Sequence, residues 1–279
     1  MTELQGKIDF CVFISVNNAN PNGDPLNGNR PRVDLNGYGE ITDVCIKRKI
    51  RNRFQDFGKE IFVQSDDRNT DDCTSLEKRL QNCKERNKLD KKEVYKILCE
   101  KWIDVRSFGQ VFSVLEKNQP NVRGPVSIHQ AVSLSPVDIN SFQITKSVNG
   151  KEQKNTDEKS SDTMGTKHMV TFGAYKVMGT VNVQLAEKTG FSQEDAELLK
   201  EALMTLFEND TSAARPDGSM EVRKMYWWQH NEKNPKYSSG RIQRAFDIKQ
   251  LVNRPTKFED YEINWHLDGC PEPEVIDFE

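Results

Sequence analysis

The hydrophobic pattern is sharpest near the start of the chain. From Lys7 to Val16, Ile8, Phe10, Val12, Ile14 and Val16 face one way, while Asp9, Cys11 and Ser15 face the other. That period of two predicts a half-buried β-strand. The next periodic stretch has the period of a helix. Thr42 stands where an N-cap belongs, Asp43 suits the positive end of the helix dipole, and Ile46, Ile50, Phe54 and Phe57 recur along one face. Between the two, the chain is rich in Asn, Gly and Pro, residues that build turns. A connection of this length is usually functional or disordered. Its turn formers, set between two regular elements, favour function.

Alternation returns three times. Val122 to Leu134 carries Val126, Ile128, Val132 and Leu134 on one face; Ser141 to Val148 reads as a strand; Met169 to Leu185 turns Tyr175, Val177, Val181, Val183 and Leu185 inward. The run NGKEQKNTDEKSSDTMGTKH joins the last two and is too polar to order itself by burial. Together they suggest a protruding hairpin, the alternative being an ordinary disordered loop. Helices are expected over Lys91 to Trp102, from the capping pattern at Ser192–Asp195 to about Phe207, and over Gly240 to Val252. Ser219 to His230 and Tyr261 to Trp265 read as strands; in the former, Trp227 and Trp228 are expected in the core. Gln64 to Lys92 is a polar, partly helical surface insertion. The order strand, helix, strands, helix, strand predicts an α+β chain: one ferredoxin-like (RRM-type) domain over residues 1–279, with large insertions.

Charge changes this picture locally. The chain of 279 residues carries a net charge of -3, which by itself argues against nucleic acid. The stretch from Lys257 onward holds eight acids and one base, so the remainder is net positive. Arg30 to Arg53 concentrates seven bases against three acids. On the predicted helix, Lys47, Arg48 and Arg51 lie on one flank of the apolar stripe, with Lys49 and Arg53 on the other. Such a patch following an Asn/Gly loop suits a phosphate backbone, although a solvated helix face has the same composition. Arg106 can pair with an acid or reach phosphate.

The search for catalytic chemistry returns little. The six cysteines form no CxxC pair, which argues against a zinc site and fits a reducing compartment. Histidines 129, 168, 230 and 266 are isolated, and no P-loop, GxSxG or HExxH occurs. Asp24, Asp34 and Asp43 stand near the basic helix; they could hold a metal, but the Asn/Gly context favours turn and helix capping. No apolar run reaches the length of a membrane span and no signal-peptide core is visible, so the expected location is cytoplasmic.

Asn20-Pro21-Asn22-Gly23-Asp24-Pro25, followed by Ile41-Thr42-Asp43-Val44-Cys45-Ile46-Lys47-Arg48-Lys49-Ile50-Arg51-Asn52, resembles the backbone subunit of type I CRISPR Cascade complexes, the subtype I-C form in particular. Asp104-Val105-Arg106, Phe108-Gly109, Arg123-Gly124-Pro125-Val126 and Ser212-Ala213-Ala214-Arg215 extend the resemblance over most of the chain. It implies a right-hand shape with an RRM-like palm, fingers within residues 64–102, a thumb hairpin at about 141–171, and an acidic C-terminal tail at 257–279. It also implies a member of the RAMP superfamily that polymerises with copies of itself along a guide RNA and presents bases to target DNA. Its partners would be the guide 5′-end, large and small Cascade subunits, with no membrane, metal or cofactor. Carried over by position, Asn20, Asn22, Lys47, Arg48, Arg51, Arg106 and Arg215 would bind RNA, and Met164 or Met169 would be the thumb's wedge, with no catalytic residue. Two alternatives stay open: a metal-dependent RNase using Asp24 or Asp34, as in type III backbone subunits, and an RNA-binding module unrelated to CRISPR.

Overall fold

The computed structural model describes residues 2–83, 90–112, 120–145 and 164–278. Strands β1 (Ile8–Ala19), β2 (Gly23–Asp24), β3 (Arg30–Pro31) and β4 (Tyr38–Ile41) precede helix α1 (Asp43–Asp56). Helices α2 (Leu76–Asn82), α3 (Lys91–Lys101) and α4 (Ile103–Phe108) follow. Next come β5 (Gly109–Val111), β6 (Asn121–Arg123), β7 (Val126–Ile128), β8 (Ala131–Pro136), β9 (Ile139–Thr145) and β10 (Met164–Val181). Helices α5 (Val183–Thr189) and α6 (Gln193–Met204) lead to β11 (Met220–Gln229), and α7 (Ser239–Arg244), β12 (Phe246–Gln250), β13 (Tyr261–Trp265) and β14 (Glu274–Asp277) end the described elements. None of the described helices is long and apolar enough to cross a membrane.

These elements form a mixed α/β fold on a large antiparallel sheet, ordered β14-β11-β1-β10-β8-β4, with β7 and β9 also paired to β10. Strand β1 lies in its middle, antiparallel to β10 and β11, with Phe10 opposite Gly179 on one side and Trp227 on the other. A Cβ at Gly179 would fall 2.1 Å from the Phe10 ring, so glycine is what lets that ring lie across the strand. The register predicted for β1 holds: Ile8, Phe10, Val12, Ile14 and Val16 pack with Ile46, Ile50 and Phe54 of α1 and Leu199 and Leu203 of α6.

The half-buried reading of β1 is corrected, because its other face is buried as well. Cys11 and Phe13 pack there with Met178, Tyr226 and Trp228, under Phe246, Ile248, Ile263 and Trp265 of the β12–β13 pair. Asp9 is tolerated inside because Lys7 Nζ donates to it at 2.8 Å and His230 Nε2 lies 2.9 Å away.

Other expectations shift as well. Val183 and Leu185 belong to helix α5, since Asn182 caps Leu185 N–H at 2.9 Å and ends the strand. Gly240 to Val252 splits after Arg244, because Phe246–Gln250 finds a strand partner in Tyr261–Trp265 and tertiary pairing overrides helix propensity. Val122 to Leu134 breaks into three strands, and past the break Ala131 and Ser133 turn inward while Val132 faces out. Residues 64–102 are more than a surface insertion: Leu80, Leu98 and Trp102 share a separate apolar cluster with Phe62 and Phe112. The acidic C-terminal stretch joins the sheet, with β14 paired to β11. The predicted hairpin arms pair from Thr145↔Met164 to Ile139↔Val170, and residues 146–163, the predicted tip, lie outside the described residues.

Candidate RNA-binding face

The segment between β1 and α1 is a sequence of built turns. Asp24 accepts the Leu26 amide at 3.2 Å at the start of a short 3-10 turn. Asp34 accepts the amides of Asn36 and Tyr38, each at 2.8 Å. Asn20 Nδ2 donates to the Asn29 carbonyl at 2.7 Å and closes the loop on itself. Asn22 Oδ1 accepts from both the amide and the hydroxyl of Thr42, at 2.9 and 2.8 Å, and so positions the residue whose own oxygen caps α1 through Cys45 N–H. Asparagine suits these places because its short amide satisfies loop backbone that no ladder reaches.

A second turn meets this loop. Asn20 N–H donates to the Ala214 carbonyl at 2.8 Å and Asn17 N–H to that of Ser219 at 2.8 Å, which brings Ser212–Arg215 beside the start of α1. Asp210 ties the two together, contacting the Lys49 ammonium and accepting from Arg215 Nε at 3.1 Å. The partly buried Cys45 thiol sits among them. Burial pushes its pKa up, with Lys49, Arg215 and Arg32 pulling it the other way. Loop, helix start and second turn thus form one polar surface.

The predicted site residues occupy that surface unequally. Asn22, Lys47 and Arg215 lie on it, Lys47 in a half-exposed i,i+4 pair with Asp43 at 3.0 Å, whereas Asn20, predicted to bind RNA, is 4% exposed and braces the loop from beneath. Arg48 donates to the Val63 carbonyl at 2.8 Å, away from the loop. Arg51 donates through Nε to Asp104 at 2.9 Å and lies over the Phe108 ring, with Asp104 only 1% exposed. Arg106 grips Asp195 with two bonds of 2.8 Å, the acid-paired alternative of the two readings. Met169 is buried in the sheet, whereas Met164, 67% exposed, stands at the described end of the β9–β10 pair.

Two cations that sequence reasoning counted but did not single out complete the surface. Arg30 has no acid partner among the described residues and donates to Ser141 of β9 at 2.8 Å. Arg32 meets Asp24 at 3.4 Å and keeps a buried Nε without a hydrogen-bond partner among the described residues. Their signal was position, since both stand in the loop where no helix face can absorb them. The arrangement offers amides and guanidinium groups to an anion, with no apposed nucleophile and base among the described residues. That is the chemistry of gripping a phosphate backbone. Among the described residues no three His, Cys, Asp or Glu side chains are grouped to hold a metal ion.

Residues 6–266 match the family described as CRISPR-associated protein Cas7. The chain belongs to the Cas7 family. A relative described as CRISPR-associated protein Cas7, from Haloferax volcanii, is 29% identical over 271 residues, covering 89% of this chain and 76% of the relative. Among solved structures, a chain of a CRISPR RNA-guided surveillance complex is 16% identical with a TM-score of 0.46, covering 79% of this chain and 68% of that one. A chain of a second such complex, captured before nicking, is 13% identical with a TM-score of 0.48, covering 79% and 77%. This Cas7 chain is a CRISPR defence protein, a backbone subunit that binds guide RNA.

Proposed function

We propose that the chain is the non-catalytic backbone subunit of a type I surveillance complex of the I-C form. Copies of it line up along one guide RNA, each holding the backbone without regard to sequence. The bases stay free to pair with target DNA, and the other subunits of the complex attach to the resulting filament. The observation that carries this reading is the joining of the Asn20–Arg32 loop, the start of α1 and the Ser212–Arg215 turn into one surface of amides and cations. In this reading Asn20 holds the loop in shape, and Asn22, Arg30, Arg32, Lys47 and Arg215 meet RNA.

The sheet supports a ferredoxin-like palm: β1, α1, β8, β10, α6 and β11 run in the sequence of two split β-α-β units, with spatial order β11-β1-β10-β8. Residues 64–102 act as fingers and the β9–β10 hairpin as a thumb, with Met164 its wedge. That Asp24 and Asp34 are engaged by turn amides supports a role without catalysis.

The test is binding of single-stranded RNAs of different sequence across a salt series, with magnesium or manganese present. We expect affinities that differ by no more than about threefold between sequences, falling by roughly 0.7 log units per contacted phosphate per decade of salt, with the RNA intact. Cutting that Asp24→Ala or Asp34→Ala abolishes would replace this reading with the nuclease.

A further inference from the structure

On an RRM-type sheet, bases stack on aromatic side chains of the open face. In this chain that face is shut by β12–β13, and Trp228 stacks inside with Tyr226 and packs against Trp265, out of reach of any base. The cover ends short of one end of the sheet. There Phe172 of β10 lies directly opposite Asn17 of β1, the aromatic half-exposed and the amide exposed. The loop joining β12 to β13 overhangs this end and leaves a cleft of about 500 Å³, a volume suited to a ligand the size of a nucleotide.

The overhang is held in shape. Asp260, 9% exposed, accepts the amides of Thr256 and Lys257 at 2.7 and 3.2 Å, and its carbonyl accepts Leu251 N–H at 2.8 Å. Gln250 Nε2 donates to the carbonyls of Val252 and Asn253, at 2.7 and 3.2 Å. Fixed in this way, the loop presents Asn253 and Arg254 to the cleft, and neither side chain is paired among the described residues. Facing them are Asn17, Asn18 and the exposed carboxylate of Asp138, unpaired among the described residues. An aromatic floor, three amides, one free guanidinium and one free carboxylate form a mixed donor and acceptor set. It matches the edge of a nucleobase and its phosphate better than it matches an apolar or purely acidic segment.

We propose that this cleft receives one unstacked nucleotide of the bound RNA, its base over Phe172 and its phosphate near Arg254. This rests on the RNA-binding reading above, and the cleft continues that surface, since Asn17 and Asn18 lead directly into the Asn20–Arg32 loop. Asp138 gives the subsite a lean toward bases bearing an amino group, such as cytosine.

The experiment uses the full chain with single-stranded RNA carrying photoreactive thio-nucleotides, and maps the crosslinked peptides. We expect crosslinks at Phe172 and at Asn253–Arg254. Arg254→Ala, an exposed position, should cut their yield about tenfold while RNA affinity stays within about threefold, as for the loss of one contact among many. Oligocytidylate should bind about threefold better than oligouridylate of equal length, a preference that Asp138→Asn removes. Normal RNA binding with crosslinks confined to residues 20–32 and 212–215 overturns the cleft proposal and leaves the backbone reading standing. Protein–protein crosslinks from the cleft in place of RNA ones overturn it in favour of a peptide site. Absence of RNA binding by the unaltered chain overturns both.

Discussion

In α1, Arg51 donates to Asp104, Lys49 contacts Asp210, and Arg53 reaches both Asp56 and Glu208. In the loop just before it, among the described residues, Arg30 meets only a serine hydroxyl and Arg32 a carboxylate at 3.4 Å. The same residue types therefore serve two purposes within one short stretch. A buried guanidinium matched to a carboxylate has already spent its field and is costly to separate from its partner. A half-solvated one can exchange water and counterions for a phosphate at little cost. What distinguishes the two regions is the availability of charge, which a count of bases does not report.

The largest effect should come from breaking the helix side of this comparison. Asp104 accepts Arg51 Nε as well as the amides of Phe62 and Val63, at 2.9, 2.7 and 3.1 Å. Asp104→Ala strands all three donors and should cost about 3–5 kcal/mol, read as a shift of the denaturation midpoint. Arg51→Ala should likewise lose stability, by about 3 kcal/mol, and leave the salt slope of RNA binding unchanged once folded protein is selected. A stable Arg51→Ala protein with a shallower slope would place Arg51 among the RNA contacts.

Acid offers a broader cut. Burial alone would raise Asp9, but bonds from His230, Lys7 and Ser239 hold its carboxyl below the usual range. Asp56 is lowered against burial by Arg68, Arg53 and Asn209, and Arg79 brings Asp71 to about 2. Carboxyls depressed in the folded state stabilise it fully above their unfolded value of about 3.9 and lose that contribution as pH falls through the folded value. Melting temperature should therefore be steady above about pH 5 and drop between about pH 4 and 2. A curve flat through that window would mean these ties are not formed.

The smallest expected changes sharpen the loop side. Arg30→Ala and Lys47→Ala should leave stability within about 0.5 kcal/mol. Each should reduce the slope of log affinity against log salt by about 0.7, whatever the RNA sequence. A change of sequence preference without a change of slope would identify a base contact.

The elements that were legible in sequence owe it to local causes. Strand β1 and helix α1 announce themselves through uninterrupted periods, and the caps at Thr42 and Ser192 through short-range chemistry. The misread elements depend on distant partners. Nothing within Phe246–Gln250 reveals that Tyr261–Trp265 will pair with it, and nothing around Asp9 shows that His230 will close over it. The site divides in the same manner: Asn22 and Thr42 can be read from the loop, whereas the acid that claims Arg51 lies far along the chain and that of Arg106 farther still.

The position of β1 carries a consequence for how the chain reaches its fold. Ile8 lies opposite Val181 and Gln229, so β1 leaves the ribosome well before either of the strands that cover it. Until then it is an unpaired apolar edge, a template for the wrong neighbour. Closing such distant pairs makes folding slow in the manner of non-local β-topologies. Refolding from denaturant should thus lose yield steeply as protein concentration rises, and a chaperone that holds the nascent first strand should restore it.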